Sequence, residues 1–180
     1  MSKIGRRPIA LENVKVEIKG QEVHYTGKNS SGVHLFPDDL SAVIENGSIQ
    51  VVPKQLNRQS KIDWGLHRAL LYNKIYGAHK LFEKHVKIVG LGYKVVVQGK
   101  IAEFSLGYSH KIQFDIPSDV IMDVDKSGQL ITLKSANKEL VGKISGEIRA
   151  LRQVEPYKGT GIHLTTDIII RKAGKAKGSK

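Results

Sequence analysis

The chain has 180 residues, 40% of them apolar, with 29 Lys and Arg against 17 Asp and Glu for a formal net charge of +12. That length accommodates one domain or two small ones, and the charge points to a polyanionic partner, nucleic acid first and an anionic membrane surface second. No run approaches the roughly 18 apolar residues of a membrane span, and the absence of cysteine excludes disulfides, thiolate metal sites and cysteine nucleophiles.

The opening MSKIGRRPIAL is basic but leads into no apolar stretch of a secretory signal. With the missing cysteines this fits a reducing, cytoplasmic compartment. Lys3, Arg6 and Arg7 form a first basic cluster. The run VKVEIKGQEVHYTG, Val14 to Gly27, alternates apolar and polar residues about Gly20 and predicts a β-hairpin. A further strand is expected at Val33–Phe36, ended by Pro37-Asp38, and another at Ile49–Val52. A helix follows, with Ile62, Leu66, Ala69 and Leu70 on one face. The same series then returns. YKVVVQGKIAEFSLG, Tyr93 to Gly107, turns at Gly99; Gln113 to Pro117 and Leu130 to Leu133 follow. A second helix carries Leu140, Ile144, Ile148 and Leu151 on one face, with Asn137 as its N-cap and Glu139 near its positive end.

This repeat predicts an α+β fold of two similar domains, each an antiparallel sheet covered by a helix, from an internal duplication. The expected boundaries are 1–82, 83–170 and a basic tail, 171–180. His79 and His85 flank the first boundary and read as polar linker residues rather than a metal pair. Gly65 and Gly142 each cost a helix about 1 kcal/mol relative to Ala; at matching positions they predict close packing of helix on sheet. The two cores are expected to include Val16, Ile18, Leu66 and Leu70, and Val95, Val97, Ile144 and Ile148.

Catalytic chemistry finds little support. Gly90-Leu91-Gly92 lacks the third glycine of a dinucleotide loop, since Val95 stands there. No Gly-x4-Gly-Lys-Ser/Thr or His-Glu-x-x-His pattern occurs. Ser109 and His110 are adjacent and, on a strand, point to opposite faces, a poor arrangement for a nucleophile and its base. Asp123 and Asp125 read as solvated. The chain is therefore expected to be no enzyme, with no cofactor, no metal, no small-molecule substrate and no membrane association.

The segment from Ile148 to Ile162, IRALRQVEPYKGTGI, is the most informative. Arg149 and Arg152 end a helix, Pro156 stops it, and Tyr157, Lys158, Gly159, Thr160 and Gly161 follow. They supply a phenol, a cation and two glycines that let backbone amides approach a phosphate closely. From Arg149 onward the chain holds eight cations and two acids, a net +6 that is half of the total charge. Its last ten residues, RKAGKAKGSK, are too poor in apolar surface to fold alone and are expected to order on binding. SLGYSHKI, Ser105 to Ile112, is a second candidate, a glycine turn with Tyr, Ser, His and Lys at its tip.

Together MSKIGRRPI, VGLGYKV, SLGYSHKI, VGKISGEIRALR and EPYKGTGI, in this order, resemble the large-subunit ribosomal protein six family of bacterial or organellar type, over nearly the whole chain. The resemblance implies two α+β domains from an old duplication. It also implies binding to large-subunit ribosomal RNA near the factor-binding region and stalk base, mostly through the C-terminal half, among other large-subunit proteins. The implied RNA-binding set is Lys3, Arg6, Arg7, Tyr93, Lys94, Ser109, His110, Lys111, Arg149, Arg152, Tyr157, Lys158, Gly159, Thr160, Arg171, Lys172, Lys175 and Lys177. Two positions depart from the family pattern. Val154 stands where Pro is usual before the signature Glu, and Thr160 where Lys is usual between the glycines, so one phosphate contact would be missing or replaced by a hydroxyl hydrogen bond. The alternative is a generic RNA-binding or RNA-chaperone module outside the ribosome, which would bind many RNAs alike.

Overall fold

A computed structural model of the chain describes residues 2–174. They fall into two compact units, one reaching Phe82 and including Ala136–Lys138, the other comprising Glu83–Ser135 and the residues from Glu139 onward. The first unit contains β1 (Ile9–Ala10), β2 (Lys15–Lys19), β3 (Glu22–Thr26), β4 (Ser31–Leu35), β5 (Leu40–Glu45), β6 (Ser48–Pro53) and α1 (Arg58–His79). After it come β7 (Phe82–Val89), β8 (Lys94–Gln98), β9 (Ile101–Ser105), β10 (Ile112–Asp115), β11 (Ile121–Val124), β12 (Leu130–Ser135), α2 (Lys138–Leu151) and β13 (Gly161–Leu164).

The fold is α+β, and its connectivity occurs twice. Sheets β2-β3-β4 and β1-β6-β5 of the first half correspond to β8-β9-β10 and β7-β12-β11 of the second, each half closing with its helix; β13 joins the β7 edge and has no counterpart. The correspondence extends to single hydrogen bonds. Gly20 and Gly99 open two-residue hairpin loops at φ +64° and +63°, where a side chain would be strained. The Phe36 N–H donates to the Gln21 carbonyl (3.0 Å), as Ile116 does to Lys100 (2.8 Å). Pro37 and Pro117 each accept from the residue three further on, Leu40 at 3.0 Å and Val120 at 3.1 Å. Proline presets the turn's φ, so both copies turn into the next strand alike. The β5–β6 hairpin differs: Asn46 and Gly47 both have positive φ, the pattern that twists a two-residue loop with its strands.

The core of the first unit gathers Ile9, Val23, Phe36, Leu40, Ile49, Val51, Trp64, Leu71 and Ile75, with Val16 and Ile18 half-buried against it. The expected face of α1 is the wrong one. Ile62 and Leu66 are 57% and 50% exposed, Leu70 is half-buried, and the buried residues are Ser60, Trp64, Leu71, Ile75, Gly77 and Ala78. At 100° per residue the buried side chains from Ser60 to Ala78, Gly77 apart, lie opposite the expected set, and both faces satisfy the spacing of an apolar stripe. Trp64 selects the buried one: its ring is buried and its indole N–H donates to the Val51 carbonyl at 2.7 Å. In the second unit Val95, Ile144 and Ile148 are buried and Val97 half-buried, as expected, and α2 buries Val141, Ile144, Ser145 and Ile148.

Three other expectations are corrected. A Cβ at Gly142 would meet nothing within 4 Å, and one at Gly65 only the Ser2 side chain, its Oγ at 3.0 Å, so neither glycine marks helix-on-sheet packing. Gly142→Ala is therefore expected to stabilise the protein by about 1 kcal/mol, read as a higher urea midpoint with an unchanged slope. His79 ends α1, and His85 lies in β7 with its ring 3.2 Å from Thr132 Oγ1, so neither is a linker residue. Ser109 and His110 lie in the loop between β9 and β10, the turn expected of SLGYSHKI and not a strand on which they would point to opposite faces.

Candidate nucleic-acid interface

Four segments of the second unit converge around Arg152, just past the C-terminus of α2. The β7–β8 turn supplies Tyr93, whose ring packs on two glycines: a Cβ at Gly90 would lie 2.5 Å from it and one at Gly107 2.9 Å. The β9–β10 loop supplies Tyr108 and His110, stacked with centroids 6.2 Å apart and an interplanar angle of 22°. Tyr108 donates its hydroxyl proton to the Leu151 carbonyl (3.2 Å), satisfying one of the acceptors a helix end leaves open. The Arg152 guanidinium lies over the Tyr108 ring, 4.7 Å from its centroid, and Tyr93 acts on its charge as well. The Tyr108 hydroxyl, more than any other neighbour, raises the Arg152 pKa above its ordinary value. A permanently charged planar cation laid on stacked aromatic rings suits phosphate and nucleobase contact.

The fourth segment is the loop from Gln153 to Thr160. Glu155 N–H donates to the Thr160 carbonyl (2.9 Å), and Gly159 N–H to the Glu155 carbonyl (3.0 Å). The strand after it continues the sheet, with Gly161 opposite Val89, and Ile162 N–H donates to the Arg152 carbonyl at 2.9 Å. Tyr157 and Lys158 are exposed at its tip. The Lys172 N–H donates to the Pro156 carbonyl (2.8 Å), which brings the start of the basic tail against the loop. Both glycines have reasons inside the chain. Gly159 holds φ +72° beneath the Arg171 guanidinium, and Gly161 holds φ +140° against the Gln153 carbonyl.

Not every expected cation stands unengaged. Lys111 is ion-paired with Glu103, and Arg149 lies 3.5 Å from Asp167. The Thr160 hydroxyl donates to the Glu155 carboxylate (3.0 Å), so the group expected to stand in for a phosphate contact is held within the loop. Lys94 and Ser109 are exposed. Lys3, Arg6 and Arg7 are exposed in the turns that open the first unit. Lys175 and Lys177 lie outside the described residues. The SLGYSHKI turn is expected to carry Tyr108 at its tip, but the implied RNA-binding set leaves it out; its contact with Arg152 adds it to the candidate site.

Residues 89–164 match the family described as Ribosomal protein L6. Over 178 residues the chain is 35% identical to the large ribosomal subunit protein uL6 of Paracoccus denitrificans, covering 98% of this chain and 100% of the relative. It is 39% identical over 176 residues to the uL6 of Campylobacter jejuni, covering 97% and 98%.

The chain belongs to the ribosomal protein L6 family. The L6 match opens at Val89 and closes at Leu164, so it takes in the Tyr93 turn, the Tyr108 loop, α2 and the signature loop. Every segment that meets at Arg152 lies inside it. Among the described residues no helix is long and apolar enough to cross a membrane, and no three His, Asp or Glu side chains are grouped to hold a metal.

Proposed function

We propose that this L6-family protein is a non-catalytic structural constituent of the cytoplasmic large ribosomal subunit that binds large-subunit ribosomal RNA. Its C-terminal half, residues 83–170, carries most of the binding, and the tail from Arg171 adds phosphate contacts. The observation that carries the reading is the convergence of Arg152, Tyr93, Tyr108 and His110 beside the Tyr157-Lys158 loop, with Arg171 and Lys172 laid against that loop. A double-stranded RNA is recognised largely by shape, phosphates and ribose hydroxyls, and a folded surface with fixed cations and rings matches one such shape. Attachment near the factor-binding region and stalk base, among other large-subunit proteins, rests on the family resemblance.

The test titrates the full chain and its variants against a folded large-subunit RNA fragment, and against an arbitrary duplex of equal length, at several salt concentrations. Lys158→Ala is expected to cost about 1 kcal/mol and to reduce the log–log salt slope by about one. Removing residues 171–180 is expected to flatten the slope further, because up to five cations leave. Equal affinity for both RNAs in moderate salt would overturn the ribosomal reading in favour of a generic RNA-binding module.

A further inference from the structure

Gly90-Leu91-Gly92-Tyr93 is a tight turn closed by the Tyr93 N–H donating to the Gly90 carbonyl (3.3 Å), with Gly92 at φ +74° as a type II turn requires. The Tyr93 ring packed on Gly90 and Gly107 gives the turn a fixed support. Leu91 stands at its tip, 102% exposed. Single exposed leucines are common on protein surfaces; the position of this one is what matters. Gly161 pairs with Val89, so this turn after β7 and the loop before β13, which carries Tyr157 and Lys158 and lies under Arg171, leave the same end of the sheet. On its other side Tyr93 leads to Arg152 and Tyr108. An aliphatic side chain is thus exposed at the end of the sheet from which both groups of cations and aromatic rings emerge.

We propose that Leu91 is an apolar contact to the RNA, seated against ribose and base-edge carbons in the minor groove of a large-subunit RNA helix while the flanking cations hold phosphates. The inference rests on the RNA-binding reading above. The minor groove of an A-form helix is wide and shallow and accessible to a short projecting turn, whereas its major groove is too deep and narrow for side chains to read. Leu91 on a turn braced by Tyr93 loses little freedom on docking, so most of the gain from removing it from water appears as affinity. This contribution releases no counterions, and that distinguishes it from the neighbouring cation contacts.

The experiment compares the full chain with Leu91→Ala, Leu91→Met and Lys158→Ala, titrated against the folded large-subunit RNA fragment across a salt series. Leu91→Ala is expected to weaken binding roughly tenfold at every salt concentration with the slope unchanged. Leu91→Met should stay within about twofold of the unaltered chain, because it restores apolar reach. Urea unfolding of Leu91→Ala should match the unaltered chain, since a fully exposed side chain supports nothing in the fold. Unchanged affinity in Leu91→Ala, with Lys158→Ala weakened, would overturn the role of Leu91 and leave the RNA-binding reading standing. A loss in Leu91→Ala that changes the salt slope would overturn it as well. Failure of the unaltered chain to prefer this RNA over an arbitrary duplex would overturn the reading itself, and this inference with it.

Discussion

Gly161→Ala is expected to destabilise the second unit by about 3 kcal/mol or more and to remove most of its RNA affinity. Gly161 holds φ +140°, a region L side chains rarely enter, and an added Cβ would stand 2.6 Å from the Gln153 carbonyl oxygen. Strain of this kind costs about 1–3 kcal/mol by itself, and the backbone overlap adds to it. The loop must then move, and it carries Tyr157 and Lys158 and receives the Lys172 N–H. Hydrogen exchange provides the local readout: the Gly159 amide, bonded to Glu155, and the Ile162 amide, bonded to Arg152, should exchange faster in the variant. Unchanged exchange, or RNA affinity equal to that of the unaltered chain, would show that the loop does not depend on this glycine.

The second large effect is an acid dependence of the first unit. His34 is only 4% exposed, its Nε2 lies 3.2 Å from His67 Nδ1, and Phe36 packs edge-on against its ring. Burial, then Lys74 and then His67, lowers its pKa from the ordinary 6.5 to about 4. Burial also lowers that of His67; nearby Asp63 opposes this and Lys74 adds to it. Because the folded value lies below the unfolded one, the unfolded state binds the proton first. The stabilising contribution of the neutral ring is complete above pH 6.5, falls as pH drops towards 4 and levels off below. The difference of about 2.5 units corresponds to roughly 3 kcal/mol. Trp64 is the chain's single tryptophan and sits in the same core, so its fluorescence in urea titrations from pH 4 to 7 follows this unit. His34→Gln should be less stable at pH 7 yet show a flatter pH profile over that range. Parallel profiles for the two proteins would assign the acid dependence to carboxylates instead.

The duplication is legible in the residues themselves because its signals are local. A glycine at a hairpin's positive-φ position and a proline that presets a turn act on their immediate neighbours, and alternation shows which side chains share a strand face. Hence Gly20 and Gly99, Pro37 and Pro117, and the Ile144–Ile148 face of α2 could be placed before any tertiary contact was known. The concentration of cations after Arg149 was equally plain, since it is a matter of composition. The buried side of α1 was not. The helix offers two apolar stripes on opposite sides, and the choice between them depends on a bond from Trp64 to Val51 across a different element. The reasons for the glycines also lay out of reach: Gly142 faces open space, whereas Gly161 makes room for the Gln153 carbonyl. The interface followed the same division. Its cations and aromatic residues can be listed from the chain, but Tyr108 beneath Arg152, Lys111 turned onto Glu103 and Thr160 held by Glu155 are decided by packing. Local backbone preference depends on a few neighbouring residues, whereas which cation meets which ring or carboxylate depends on the folded chain as a whole.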